Sequence, residues 1–108
     1  MDEALIGSFL ERTKSEGRSS PVGMHWMAFH EMLSRHAGRA GTGRPPMPLI
    51  LAASGEADST KHRRLGEQLH WAMEHGVLAE ALQFLNALQP DQWNWGTAES
   101  WHRSHYWE

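Results

Sequence analysis

Cysteine is absent from all 108 residues. That removes disulfides, thiolate zinc sites, iron–sulfur clusters and cysteine nucleophiles together, and a reducing cytoplasm is the expected setting. Long apolar runs are lacking as well, and the opening Met1-Asp2-Glu3-Ala4-Leu5-Ile6 is acidic, so neither a secretory signal nor a membrane span is expected. Runs of β-branched residues, which mark strands, are few. Charge of one sign is not in large excess: ten basic against thirteen acidic residues leave −3 with histidines neutral, which gives no general attraction to a phosphate backbone. No serine occupies a Gly-x-Ser-x-Gly elbow, and Gly41-Thr42-Gly43-Arg44 lacks the strand, helix and lysine of a phosphate-binding loop.

Tryptophan, by contrast, is plentiful. Four of the six lie between Trp93 and Glu108, with Tyr106 among them. The indole is the largest apolar side chain and its N–H wants a partner, so a segment this rich in it is expected to dock on something. The receptor is the chain's own helices, a second copy or another protein.

The periodicity along the rest of the chain is helical, which predicts an all-α fold: a single compact domain of about five helices. Leu5, Ile6, Phe9 and Leu10 predict a first helix from Asp2 to Ser15, with Gly17 just beyond its end. Ser19, Ser20 and Pro21 read as the cap and first position of a second helix, with a stripe of Val22, Trp26, Phe29 and Leu33, that stops near Gly38. A Gly/Pro-rich loop is expected over 38–48, then a short helix over 49–53. From Thr60 to Leu88 the pattern predicts two helices joined at Gly76 as an αα-hairpin, with Leu69 and Leu82 at the centres of the facing stripes. After a turn at Trp93-Asn94-Trp95-Gly96, a last helix is expected from Thr97 to about Trp107.

Two stretches match the Glu-x-x-His spacing of di-iron bundles: Glu67 with His70, and Glu99 with His102. Ten glutamates and eight histidines yield roughly one such match by accident. At about 100° per residue, Glu67, His70, Glu74 and Arg63 fall opposite Leu65 and Leu69 and so face water. His25 and His36 fall on the apolar stripe of the second helix, and His102 with His105 stand one turn apart, but a lone histidine on such a face is more often a hydrogen-bonded core residue. No metal and no cofactor are therefore expected, and no catalytic group is assigned.

Lys61-His62-Arg63-Arg64 is a basic run at a helix start. The following helix, Val77 to Leu88, has no Lys or Arg and carries Glu80, so it suits a core better than a DNA groove. The functional expectation is instead a non-catalytic protein-interaction or accessory module, self-associating and most simply a homodimer. Trp71 carries it, because it stands about 120° from Leu65 on its helix, beside Arg64 and His75, where one-sided packing would leave it bare. With Trp93, Trp95, Trp101, His105 and Trp107 these residues form the candidate contact set. A nucleic-acid-associated regulator is the second reading and a His/Glu metalloprotein the third.

Overall fold

A computed structural model describes residues 2–40 and 58–96. Helix α1 runs from Asp2 to Ser15, α2 from Gly23 to Ala40, α3 from Asp58 to Glu74 and α4 from Leu78 to Asn86. A 3₁₀ turn at Pro90–Gln92 leads into the short strand β2, Trp93–Trp95, which pairs antiparallel with β1, Arg18–Pro21. The described residues are thus mostly helical with one small sheet. The short helix expected over 49–53, the helix expected over 97–107 and nearly all of the Gly/Pro-rich loop lie outside the described residues. None of the described helices is long and apolar enough to cross a membrane.

Helix α1 has the expected limits and buries Ile6 and Phe9. Leu5, expected on the same stripe, is instead more than half exposed. In α2 the buried positions are Trp26, Phe29, Leu33 and Ala37, a stripe at helical spacing. Leu65, Leu69 and Ala72 of α3 close the core from the other side, with Ala81 and Leu85 of α4. Where α1 crosses α3, a Cβ on Gly66 would lie 3.2 Å from Leu10 Cδ1, so the small residue permits the close approach.

Two boundaries differ from the pattern-based expectation. Ser19, Ser20 and Pro21 do not cap α2; they are buried in β1, and the helix starts two residues later, at Gly23. Locally, Pro21 suits either a helix start or the end of a strand, and pairing with Trp93 decides for the strand. Val22 N–H donates to Gln92 O (3.0 Å), while Val22 O accepts the first helical N–H groups, from His25 and Trp26. At its other end α2 runs through Gly38 to Ala40. Gly38 lies on the exposed face, where a glycine costs only about 1 kcal/mol relative to alanine.

The turn between α3 and α4 falls at Gly76, as expected. Gly76 has φ +74°, its N–H donates to Met73 O (3.3 Å), and Val77 N–H donates to Ala72 O (2.8 Å). This is the Schellman arrangement, whose apolar contact here joins two core residues, Val77 and Ala72. Leu82, however, is only half-buried, and Ala81 and Leu85 occupy the centre of the α4 face.

Candidate interaction surface

Of the eight contact residues expected from sequence, five lie within the described part of the chain. Trp71 and His75 come together: their rings stack at 4.1 Å with 17° between planes, and the His75 ring Nδ1 lies 2.8 Å from Trp71 O. A carbonyl only accepts, so Nδ1 carries the hydrogen in this contact. Trp71 is half-buried against the core, so His75 and the core supply much of the cover it needs. Arg64 lies two turns earlier on the same side of α3, half-buried.

Trp93 and Trp95 part company. Trp93 is 2% exposed in the core, tilted against Phe9 with ring centroids 6.5 Å apart, while Trp95 is 52% exposed. Trp95 Nε1 donates to Pro90 O (3.1 Å). The Arg18 guanidinium lies 5.6 Å from the Trp93 ring centroid and 5.4 Å from that of Trp95, within cation–π range of both. Arg18 was not anticipated, because only pairing of β1 with β2 sets it opposite Trp95. Trp101, His105 and Trp107 lie outside the described residues.

The Glu67, His70, Glu74 and Arg63 side chains are all exposed, as their helical phase implies. His25 Nε2 lies 3.3 Å from Gln92 Nε2, which ties α2 to the 3₁₀ turn. Glu99 and His102 lie outside the described residues. Among the described residues no three His, Asp or Glu side chains converge as a metal site would require.

Within the basic run, His62 turns inward. Its Nε2 lies 3.0 Å from Leu10 O and 3.0 Å from the hydroxyl of the buried Thr13, which itself donates to Leu10 O (3.0 Å). The imidazole therefore joins α3 to α1 as an N–H donor. The apolar stripe held the signal, since His62 is three and seven residues before Leu65 and Leu69. Burial pushes the His62 pKa below the ordinary 6.5; the Leu10 hydrogen bond opposes this, Lys14 adds to it and Glu11 opposes it. Because the folded chain binds this proton less readily than the unfolded one, the stabilising contribution is complete above the unfolded pKa of 6.5 and is lost as pH falls from there through the lower folded value. Urea titrations at about pH 7.5 and about pH 5.5 are expected to show the native chain losing stability on acidification, and His62→Gln, which keeps an amide donor but cannot titrate, losing less. An equal loss in both proteins would remove His62 from the account.

An apolar concavity lies between α1 and α4. One depression, of about 260 Å³, is lined by Leu5, Ser8, Phe9, Arg12, Leu82 and Asn86. Its neighbour, of about 270 Å³, is lined by Asp2, Leu5, Met73, Gly76, Leu78, Ala79 and Leu82. Leu5 and Leu82 belong to both, so the two depressions form one trough with Leu5 rising between them. Arg12 closes one end: Nη2 donates to Asn86 Oδ1 (2.7 Å) and the guanidinium lies 5.3 Å from the Phe9 centroid. Asp2 stands at the other end. A separate apolar pair, Met24 and Met27, projects from the outer face of α2, 82% and 58% exposed.

Comparison of the chain with protein-family models, with curated proteins and with solved structures found no match.

Proposed function

We propose that this chain is a small cytoplasmic protein-interaction or accessory module that associates with a second copy of itself. The observation that carries this reading is the trough between α1 and α4. There Leu5 stands 54% exposed next to the half-buried Leu82, although the same two helices already bury Ile6, Phe9, Ala81 and Leu85 in a filled core. Leaving a leucine and a concave apolar surface in water forgoes the free energy that their burial would release, about 25 cal/mol per Å² of apolar area. Leu5 and Leu82 stand side by side on this surface, whereas apolar residues scattered singly are ordinary. The methionines of α2 add adaptable surface for a further partner.

Association of a modest apolar trough is expected to be reversible. Light scattering on the full chain is expected to give a weight-average mass that rises with concentration from the 12.3 kDa of the single chain toward twice that value. A mass fixed at 12.3 kDa across the whole soluble range would contradict self-association.

A further inference from the structure

The side of α1 that faces the trough carries a symmetric spacing, running from the exposed Asp2, Leu5 and Arg12 to the buried Phe9. Asp2, Leu5, Phe9 and Arg12 all line the trough and are spaced by three, four and three residues. Positions 2 and 12, and positions 5 and 9, are therefore equidistant from position 7. In an antiparallel pair of such helices, positions 2 and 12 and positions 5 and 9 stand opposite one another across the axis, so that one patch meets its own copy, residue i on j and j on i.

We propose that two copies of this chain pair through the α1/α4 trough, with α1 antiparallel to α1 of the second copy. This rests on the self-association reading above and adds its surface, orientation and contacts. In this arrangement Leu5 enters the depression beside Phe9 of the partner subunit, between the partner subunit's Leu82 and Arg12, and the reverse contact fills the equivalent depression on the first copy. Each leucine is the knob and each depression the hole, built from the same residues on both sides.

Charge selects the antiparallel orientation. Asp2 and Arg12 mark opposite ends of the trough and carry opposite signs, and neither has an ionic partner among the described residues. Antiparallel pairing sets Asp2 opposite Arg12 of the partner subunit, twice per dimer. A parallel pairing would set Asp2 against Asp2 and Arg12 against Arg12, an arrangement that like-charge repulsion disfavours. Arg12 is already held in place by Asn86 and by the face of Phe9, and the hydrogen bond to Asn86 uses one of its five N–H donors. An incoming carboxylate thus meets an ordered guanidinium with donors to spare. The Met24 and Met27 face shows no such match: the charges along it, Glu31 and Arg35, already face each other at 3.9 Å on the same helix.

The test is sedimentation equilibrium on the full chain and on five variants, with helical circular dichroism and melting temperature recorded for each. Leu5→Glu is expected to be monomeric at concentrations where the native chain is dimeric, with its melting measured at concentrations where both are monomeric and found unchanged, since Leu5 is more than half exposed within a protomer. Met24→Glu is expected to leave the dimer intact. Asp2→Lys and Arg12→Glu should each weaken dimerisation on the order of tenfold, and the double variant Asp2→Lys/Arg12→Glu should regain most of the loss, because the reversed charges face each other again. The regain separates a contact between copies from damage to the fold. A dimer that survives Leu5→Glu, dissociates with Met24→Glu instead, or is not restored by the double charge reversal would overturn this interface while leaving self-association standing. A native chain that is monomeric at every concentration would overturn both.

Discussion

Replacing Phe29 with alanine is expected to destabilise the chain by about 3–5 kcal/mol, a large share of the roughly 5–15 kcal/mol that holds a domain of this size together. Phe29 is fully buried, its ring stacked on Trp26 at 5.8 Å and tilted against Phe84 of α4 at 5.5 Å, so it joins two helices that are distant in sequence. Truncation removes apolar area and leaves a cavity that the surrounding Leu33, Leu85 and Trp26 cannot fill without leaving their own contacts. Met27→Ala, only two residues away, is expected to change stability by no more than about 0.5 kcal/mol, since that side chain is 58% exposed. Urea unfolding curves with equal slopes measure both. Comparable losses at the two positions would mean that the rotational phase of α2 is wrong.

The second large effect is expected at the other end of the chain. Trp93→Ala should cost about 3–5 kcal/mol, because the indole fills the space between β1 and Phe9 and is almost wholly buried. Trp93→Phe should cost much less. Trp93 Nε1 is buried with no hydrogen-bond partner among the described residues, so phenylalanine gives up some volume but also removes a donor whose burial is unfavourable. Trp95→Ala should be milder still: it loses a contact with Arg18 and one hydrogen bond to Pro90 O at a half-exposed site. The expected order of melting temperatures is therefore Trp95→Ala above Trp93→Phe above Trp93→Ala. If Trp93→Ala and Trp95→Ala melted together, β2 would not be part of the core.

How much of the fold is legible in the sequence follows the range of the interactions involved. Helix limits at Ser15 and Gly76 were legible because they depend on neighbours within four residues: an acidic first turn, a glycine able to take φ +74°, a stripe with a 3.6-residue period. The sheet was not. Ser19-Ser20-Pro21 is a sound helix cap when read alone, and only the approach of Trp93, more than seventy residues later, turns it into a strand; Asn94 Nδ2 then donates to Ser20 Oγ (3.2 Å) and Pro21 O (3.4 Å). The surface divides in the same way. Trp71 and His75, four residues apart on one helix, were legible as neighbours, whereas the position of Arg18 between Trp93 and Trp95 depends on strand register. His62 was masked by the basic residues beside it although it continues the Leu65 and Leu69 stripe. Leu5 looked like a core residue beside Ile6, but adjacent residues on a helix point about 100° apart, and α3 and α4 cover only the Ile6 side.

The expected docking of the tryptophan-rich segment is answered for its first three residues. Trp93–Trp95 pair with β1 of the same chain, and Trp93 enters the same core as Ile6 and Phe29. The pairing of copies proposed above does not use that strand; it uses the trough between α1 and α4.

Backbone amide chemical shifts of the isotopically labelled full chain, recorded from low to high concentration, test the central claim most directly because they report both whether copies associate and where. The account predicts concentration-dependent shifts concentrated on the trough-lining parts of Asp2–Arg12 and of Leu78–Asn86, while the amides of β1, β2 and the outer face of α2 hold still. Spectra that superimpose at all concentrations, or shifts centred on Met24 and Met27, would contradict it.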